Sequence, residues 1–254
     1  MIAPIVPKLS IIIPAYNEES RLPRGLTKIR DYLVRLNLAP DQVEIIIVDD
    51  GSEDRTAAVA QEWSREFPSL CLISNGHNRG KGFSVRHGVE QSAGRIVLFT
   101  DADLSAPIEE ADKLIDALEH FDLAIGSRAV DRSLITVHQS PLREFAGILF
   151  NKVVRISLRL PFVDTQCGFK AFLRERCQVL FEQQTIERFG FDPELLYLAR
   201  HHGLRAVEIP VRWGHSPATK VSMLRDSMQM FLDVFRIRWN SLVGRYPRKS
   251  SKPA

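Results

Sequence analysis

The sequence has few cysteines and no long apolar segment, and both deficits exclude classes of protein. Its three cysteines, Cys71, Cys167 and Cys177, are widely spaced and form no CxxC pair. This spacing argues against a disulfide framework or a zinc site and favours a reducing compartment. Residues 1–8 lack the charged start and apolar core of a signal peptide, and no run of about 18 apolar residues occurs anywhere. We therefore expect a cytoplasmic protein that is soluble or peripheral on the cytoplasmic face of a membrane.

Acidic residues are also missing from the end of the chain, although the overall charge is small. The formal net charge of +3 at pH 7 does not establish a nucleic-acid partner, and we expect none. After Asp233, only basic residues carry charge, namely Arg236, Arg238, Arg245, Arg248, Lys249 and Lys252. Such a tail can attract anionic lipid or can simply keep the protein in solution, and the sequence leaves both interpretations open.

The chain is long enough for one large α/β domain, since 44% of its 254 residues are hydrophobic. Predicted strands lie at 9–13, 43–48, 70–74, 96–100 and 123–127, with helix patterns at 22–36, 54–67, 79–91 and from about Pro107. Repeated β-α-β units give a Rossmann-like, doubly wound, mostly parallel sheet with helices on both faces. The second half adds predicted strands at 168–173 and 206–211 and helices at 141–158, 192–200 and 222–239.

Ligands of such a sheet bind beyond the carboxyl ends of the strands, and carboxylates are placed there. Asp101 and Asp103 directly follow the fourth predicted strand. Two neighbouring carboxylates repel each other unless a cation lies between them, and Mg²⁺ or Mn²⁺ bound with a diphosphate is a natural partner. The plainer alternative is a loop aspartate next to a helix cap.

Two further clusters follow the second and third predicted strands. Asp49 and Asp50 offer acceptors for a base or ribose, or they form a turn that caps the next helix, and both roles can coexist. The segment GHNRGKG fails as a Walker A loop, because three residues rather than four separate Gly76 from Gly80 and Phe83 stands at the Ser/Thr position. A basic, glycine-rich helix start can still approach a diphosphate.

Five motifs in order resemble glycosyltransferase family 2, whose members have the GT-A fold. They are IPAYNEE at 13–19, VDDGS at 48–52, NRGKG at 78–82, DAD at 101–103 and GSR at 126–128. Downstream, DTQCGFK at 164–170 and ERFGFDPELL at 187–196 resemble dolichyl-phosphate β-glucosyltransferases and their prokaryotic relatives. The resemblance implies an inverting, metal-dependent transfer of a hexose, glucose from UDP-glucose, to a polyprenyl phosphate of the dolichyl type.

The resemblance also implies partners and a division of the chain. The expected partners are a nucleoside-diphosphate sugar, a polyprenyl phosphate lipid and the surface of a membrane. We expect a single domain over residues 1–240, with a nucleotide-sugar-binding half at 8–128 and an acceptor half at 129–240. The remaining residues, 241–254, are expected to form a basic tail.

Residue roles follow from the same resemblance, position by position. The nucleotide sugar is expected to contact Pro14, Ala15, Tyr16, Glu18, Asp49, Asp50, Lys81, Asp101 and Ala102. Asp101 and Asp103 are expected to hold the metal and, with Arg128, to form the catalytic set. Arg128, Arg143 and Lys170 are expected to meet the acceptor phosphate. The alternatives are a surface ion pair for Arg128 and an interfacial helix charge for Arg143.

Three alternative functions are open to the same motifs. A mannosyltransferase using GDP-mannose is the nearest, but Ser105 stands where mannosyl relatives usually carry a metal-binding glutamine. A transferase with a polysaccharide hydroxyl acceptor needs a general base, and no obvious Glu-Asp pair or QxxRW-like motif supplies one. A non-catalytic nucleotide-sugar sensor is disfavoured by the intact pair Asp101 and Asp103. Asp164 and Glu194 are left as structural caps or sugar contacts.

Two helix patterns combine apolar bulk with basic charge, as expected for helices in a lipid interface. The helix at 141–158 combines Phe145, Leu149, Phe150, Val153 and Val154 with Arg143, Lys152, Arg155 and Arg159 at its face or end. The helix at 222–239 carries Met228, Phe231, Phe235 and Trp239. The alternative is that both helices pack on the core of the domain.

Overall fold

The computed structural model describes residues 7–215 and 225–248. Its strands are β1 (Leu9–Ala15), β2 (Val43–Asp49), β3 (Leu70–Ser74), β4 (Ile96–Phe99), β5 (Leu123–Ser127), β6 (Ile135–Val137), β7 (Lys170–Leu173), β8 (Ala206–Pro210) and β9 (Trp213–Gly214). Its helices are α1 (Leu22–Arg35), α2 (Thr56–Glu66), α3 (Lys81–Gln91), α4 (Ala111–Ala117), α5 (Pro141–Leu158), α6 (Arg174–Gln183), α7 (Phe191–His201) and α8 (Arg225–Leu242). Short 3-10 turns lie at Pro40–Gln42, Ile108–Glu110 and Arg132–Leu134.

Seven strands form one sheet in the order β3-β2-β1-β4-β7-β5-β8. Neighbouring strands are parallel, except that β7 runs antiparallel to both β4 and β5. The predicted α/β fold with a mostly parallel sheet is therefore confirmed. Because β7 and β8 come from the second half of the chain, this sheet draws on both predicted halves, and the division near residue 128 stays a prediction. A separate two-stranded ladder joins β6 and β9.

Continuous apolar runs in the central strands explain why the sheet is covered on both faces. Successive side chains of a strand point to opposite faces. In β1, Ile12 packs into one core cluster, whereas Ile11 and Ile13 pack into the other. In β2, Ile46 and Ile45 are divided in the same way. All of these side chains are buried, and full burial stabilises each by about 1.5–3 kcal/mol relative to exposure.

The element bounds differ from the sequence prediction at a few places. β1 continues past Ile13 because its pairing with β2 extends to Ala15, whereas its pairing with β4 ends at Ile12. The sequence pattern does not predict α6, although Cys177 and Leu180 bury one face of it at helical spacing. The predicted helix start at 222 lies outside the described residues, and α8 is described from residue 225.

α5 and α8 pack against each other and leave a broad apolar face exposed. We call the following exposed side chains the apolar face: Leu142, Phe145, Ile148, Leu149 and Ile156 of α5, and Met228, Phe231, Leu232, Phe235, Trp239 and Leu242 of α8. Val154 instead points into the core, and Phe150 packs partly against it. Within the described residues, no helix combines the length and apolarity needed to cross a bilayer.

The described part of the predicted basic tail is held to the domain by Tyr246, among other contacts. Tyr246 is buried, and its hydroxyl donates a hydrogen bond of 2.7 Å to Glu194. Glu194 also accepts hydrogen bonds from the backbone N–H groups of Thr185 and Ile186. Glu194 is thus a structural acceptor in the core, the first of the two roles considered for it, while the tail as a separate segment stays a prediction.

Candidate active site

A cleft of about 340 Å³ opens at the carboxyl ends of β4 and β5. Asp101 and Asp103 enter it from the turn after β4, Arg128 from the end of β5, Lys81 from the start of α3 and Arg143 from α5. The structure thus brings five of the predicted site residues into one cleft, while their chemical roles stay predictions. Its apolar lining is Ile135, Ile148, Phe189, Trp213 and Met230.

Asp101 forms an ion pair with Lys81 at the floor of the cleft. The Lys81 ammonium lies 2.5 Å from Asp101 Oδ1. Lys81 is the first residue of α3, and Gly80 before it adopts φ +107°, a conformation that a residue with a side chain rarely adopts. Burial lowers the pKa of Lys81, but the carboxylates of Asp101 and Asp192 outweigh this effect and hold it above the ordinary value. Lys81 is therefore a fixed cation beside the expected diphosphate position.

Asp103 belongs to a second network of charged side chains, which begins at the loop after β1. Arg21 forms an ion pair with Glu18 and places its other nitrogen 3.4 Å from Asp103 Oδ2. The second oxygen of Asp103 accepts a 3.0 Å hydrogen bond from the backbone N–H of Ser105. Glu18, predicted to meet the ribose, thus lies two contacts away from the predicted metal ligand.

Asp50 holds the glycine-rich loop in place. Its carboxylate accepts hydrogen bonds of 2.9 and 2.8 Å from the backbone N–H groups of Arg79 and Gly80, and one of 2.7 Å from the Asn75 side chain. Asp49 accepts a 3.2 Å bond from the Ser52 N–H, which closes a turn. Both carboxylates are buried, so the turn-forming role is present in the structure and the contact with base or ribose stays a prediction.

Hydrogen bonds join the loop after β1 to the loop after β2. Pro14 and Ala15 lie within β1, and the buried Ala15 offers its carbonyl to the Asp50 N–H at 2.8 Å. Tyr16, at the end of the strand, is half-buried. Asn17 adopts the left-handed conformation, with φ +54°, while its backbone N–H donates to the Ser52 hydroxyl at 2.9 Å. Ala15 is thus almost wholly buried, and its contact with a ligand stays a prediction.

Ala102 is restricted in the same way as Ala15, because it packs against α1. Its side chain is buried, and a Cβ added at Gly25 of α1 would lie only 2.7 Å from the Ala102 carbonyl oxygen. The absence of a side chain at Gly25 therefore lets α1 approach the turn that carries Asp101 and Asp103. The contact of Ala102 with the nucleotide sugar stays a prediction.

Arg128 is held by Asp164 in a two-pronged ion pair. The guanidinium donates hydrogen bonds of 2.7 and 2.8 Å to the two carboxylate oxygens, and the Arg128 backbone N–H adds a third of 3.0 Å. Burial raises the pKa of Asp164, but Arg128 outweighs it and lowers the pKa to about 2. Arg128 also lies over the ring of Trp213, 5.4 Å from its centroid. The alternative for Arg128 was a surface ion pair, but the pair in the structure is formed with a buried aspartate, and Arg128 also lines the cleft.

Lys170 requires a correction, because the structure does not place it where an acceptor phosphate can reach. Its side chain is fully buried, and its ammonium pairs with Asp192 and donates to the Cys167 carbonyl at 2.5 Å. The reason is the face of β7 on which it lies, because Lys170 and Phe172 share one face of the strand, and Phe172 packs there in the same core cluster as Phe191 of α7. Lys170 thus lies in the core against α7, whereas Arg143 lines the cleft and its contact with an acceptor phosphate stays a prediction.

The two carboxylates of the turn fit a divalent ion that arrives with a diphosphate. Among the described residues, no group of three or more histidine, cysteine or acidic side chains gathers as a metal site. Mg²⁺ is commonly bound by one or two carboxylates together with phosphate oxygens. Asp101 and Asp103 both line the cleft, so they can hold such an ion from one side while the diphosphate completes its coordination.

Sequence reasoning missed three residues of the site. Arg21 lies 82 positions before its partner Asp103, and no local pattern connects them. Asp164 was left between two roles, and the structure pairs it with Arg128. Asp192 was expected only as the first residue of a helix at 192–200, yet it lines the cleft.

Comparison with known proteins identifies the family. Residues 10–181 match the family model for glycosyl transferase family 2. A dolichyl-phosphate beta-glucosyltransferase of Dictyostelium discoideum is 36% identical over 253 residues, which cover 95% of this chain and 77% of that protein. The human protein of the same name is 33% identical over 248 residues, covering 93% and 76%. One from Trichomonas vaginalis is 34% identical over 237 residues, covering 90% and 72%.

Solved structures support the same fold. A glucosyl-3-phosphoglycerate synthase from Mycobacterium tuberculosis, in complex with Mn²⁺, UDP and glucosyl-3-phosphoglycerate, aligns with a TM-score of 0.61 at 20% identity over 96% of this chain and 82% of that one. A mannosyltransferase from Pyrobaculum calidifontis, in complex with GDP-Man and Mn²⁺, aligns with a TM-score of 0.60 at 20% identity over 92% and 65%. At these identities the likeness shows the fold alone, which is GT-A. Together with the family match over more than half of its length, it shows that the chain belongs to glycosyltransferase family 2.

Proposed function

We propose that this glycosyltransferase moves a hexose from a nucleoside-diphosphate sugar to a polyprenyl phosphate at the surface of a membrane. The observation that carries the proposal is the composition of the cleft, where Asp101 and Asp103 share one space with Arg128 and Arg143. Arginine forks suit phosphate oxygens. The cleft is also lined by Ile148 of the apolar face, so a phosphate bound there can carry a hydrocarbon chain out along α5 and α8.

The charges around the cleft support a phosphate acceptor over a hydroxyl acceptor. Each carboxylate that lines the cleft among the described residues faces a cation: Asp101 with Lys81, Asp103 with Arg21, Glu144 with Arg132, Asp164 with Arg128, and Asp192 with Lys170. A general base needs a carboxylate poised to accept a proton, and these pairs oppose protonation, although at Asp192 burial outweighs the pairing and raises the pKa. A phosphate monoester has a second pKa of about 6 and attacks without a base.

The proposed reaction is a single displacement with inversion at the anomeric carbon. An oxygen of the acceptor phosphate forms the new bond to that carbon, while the bond to the diphosphate breaks and its electron pair leaves with the diphosphate. An α-linked donor thus gives a β-linked product. The paired carboxylates of the cleft leave no obvious enzymic nucleophile for a double displacement.

Different residues would bind the donor and the acceptor. Asp101 and Asp103 would hold the divalent ion, which supplies positive charge to the leaving diphosphate. Lys81 adds a second positive charge at the start of α3, where the helix dipole also favours an anion. Arg128 and Arg143 would fix the acceptor phosphate, and the pair with Asp164 holds the Arg128 fork in one orientation.

The proposed donor is UDP-glucose, with GDP-mannose as the alternative. The support for UDP-glucose comes from relatives named dolichyl-phosphate beta-glucosyltransferases, which cover 90% or more of this chain, and from Ser105 in place of the glutamine of mannosyl relatives. The alternative is supported only by fold, since one structural neighbour holds GDP-Man. Calorimetric titration with UDP and GDP in the presence of Mn²⁺ or Mg²⁺ decides, and tighter binding of GDP would reverse the assignment.

A hydroxyl acceptor stays the second candidate because of Asp192. Burial raises the pKa of Asp192 even though Lys170 and Lys81 oppose the shift, and a raised pKa is a property of general bases. If Asp192 were the base, Asp192→Asn would remove the rise of rate with pH. With a phosphate acceptor, that variant should keep the dependence, which then belongs to the second ionisation of the acceptor near about pH 6.

The experiment that tests the proposed function offers the purified protein a panel of nucleotide sugars together with a membrane lipid extract and Mg²⁺ or Mn²⁺. The glycolipid product is identified by mass and its anomeric configuration by proton NMR. We expect a β-linked hexosyl phosphate of a polyprenol, formed from UDP-glucose. Transfer to a water-soluble glycan, with none to lipid, would overturn the proposal.

A further inference from the structure

A fully buried ion pair lies behind the Lys81–Asp101 pair and has no role in the reaction proposed above. It joins Lys170 of β7 to Asp192 of α7. Both side chains are buried. Removing two charges from water is costly, and an apolar pair of similar size is often at least as stabilising. The pair therefore calls for an explanation other than stability alone.

The four charged groups alternate in sign from the core to the metal-binding turn. The order is Lys170, Asp192, Lys81 and Asp101, and the last three line the same cleft. Lys81 pairs with Asp101 at 2.5 Å, and Asp192 pairs with Lys170. Lys81 is thus attracted by a carboxylate in front of it and by another behind it.

Lys170 also fixes the peptide on which this pair rests. Its ammonium donates to the Cys167 carbonyl at 2.5 Å, and the next residue is Gly168. A Cβ added at Gly168 would lie 2.7 Å from Lys81 Nζ and 3.0 Å from Asp101 Cγ, and closer still to Asp101 Oδ2. Gly168 is not among the glycines with a left-handed φ. It is therefore required for space and not for backbone conformation.

We infer that Gly168, Lys170 and Asp192 are positioning residues that hold Lys81 and Asp101 in the geometry that receives a divalent ion and a diphosphate. The inference rests on the proposed function for the identity of that ligand. Lys170 does not touch the donor. It acts indirectly, through the Asp192 carboxylate and through the Gly168 peptide. The role expected for it at the acceptor phosphate is thereby replaced by one on the donor side.

Gly168→Ala tests this arrangement without changing any charge. The atoms nearest to the new methyl group are mostly side-chain ends, so the variant should fold with a melting temperature near that of the wild type. We expect the Mn²⁺ concentration for half-maximal UDP binding to rise at least about tenfold, measured by calorimetry without any acceptor. UDP binding in the absence of metal should change less.

Gly126→Ala is the matched control. A Cβ at Gly126 would lie 3.1 Å from the Phe169 carbonyl oxygen and 3.3 Å from Cys167 Sγ, so it crowds the same segment away from Lys81 and Asp101. We expect this variant to lower the melting temperature and to leave the Mn²⁺ dependence unchanged. An equal rise of the Mn²⁺ requirement in both variants would show that crowding alone is responsible, and would overturn the inference.

Asp192→Asn provides a second test that does not depend on the folding of the glycine variant. It keeps the size of the side chain and removes the charge behind Lys81, so we expect a rise of the Mn²⁺ requirement in the same direction. An unchanged requirement in both Gly168→Ala and Asp192→Asn would overturn the inference while leaving the proposed function intact. If the wild type bound neither UDP nor GDP with metal, the proposed function would fail, and the inference would fail with it.

Discussion

Replacing Asp164 with asparagine removes the charge that holds Arg128 in the cleft while keeping the size of the side chain. The asparagine oxygen can still accept from the Arg128 backbone N–H and from Nε, which now bond one carboxylate oxygen at 3.0 and 2.7 Å. The asparagine NH₂ group, however, would face the Arg128 Nη2 group that now donates at 2.8 Å. Two donors then oppose each other, and the guanidinium loses its counter-charge.

The shifted pKa of Asp164 gives the size of the effect. A shift from the ordinary 3.8 to about 2 corresponds to about 2 kcal/mol, at about 1.4 kcal/mol per pKa unit. Breaking a buried pair can cost about 3–5 kcal/mol, but 30% of the Arg128 side chain is exposed, and water partly solvates the charge that is left. We therefore expect Asp164→Asn to lower the free energy of unfolding by about 2 kcal/mol at neutral pH.

The sign of the pH dependence provides the sharper test. Because the folded-state pKa of Asp164 is depressed, its contribution is fully present above the unfolded-state value and is lost as pH falls through the folded-state value. The difference between wild type and Asp164→Asn, measured by urea unfolding, should thus shrink between about pH 4 and about pH 2. A difference that stayed constant over this range would show that the charge of Asp164 does not stabilise the fold.

Three further predictions concern activity and membrane binding. Asp103→Ala should lower turnover at least about a hundredfold, because the leaving diphosphate loses its counter-charge; near-normal activity with excess chelator would refute the metal assignment. Gly147 lines the cleft, and a Cβ at this position meets no described atom within 4 Å. We therefore expect Gly147→Leu to fold and to be stabilised by about 0.8 kcal/mol through the higher helix propensity of leucine. The larger side chain should block lipid acceptors and leave the affinity for UDP unchanged. The double variant Phe235→Ser and Trp239→Ser should no longer sediment with anionic liposomes. The control Val34→Ser, at an equally exposed apolar position on α1, should still sediment. Equal binding by both variants would show that the apolar face does not bind the membrane.

The sheet could be predicted from the sequence because its strands are apolar on both faces. The run Ile45 to Val48 contains no polar residue, and the strands predicted in the first half agree with the structure to within two residues. The direction of β7 could not be predicted, because an apolar run carries no information on whether its neighbours are parallel. The burial of Lys170 could not be predicted either, because its partner Asp192 lies 22 positions later in the chain, on α7.

The site could be predicted only where its functional residues lie close together in the sequence or at the ends of neighbouring parallel strands. Asp101 and Asp103 share a turn, and their approach to Arg128 follows from the common edge of parallel strands. Pairs that are distant in sequence could not be predicted, such as Arg21 with Asp103. The role of Asp50 could not be predicted for a different reason. Its carboxylate holds a loop in the structure, and a sequence motif alone cannot distinguish a residue that holds a loop from one that contacts a ligand.

The central claim is that the acceptor is a phosphate, and one measurement tests it directly. The protein is supplied with UDP-glucose, Mn²⁺ and liposomes that contain either a polyprenyl phosphate or the matching polyprenol without its phosphate, and hexose transfer into the lipid fraction is measured. The paired carboxylates of the cleft and the arginines Arg128 and Arg143 predict transfer to the phosphate and none to the alcohol. Equal transfer to both lipids, or transfer to the alcohol alone, would contradict the account.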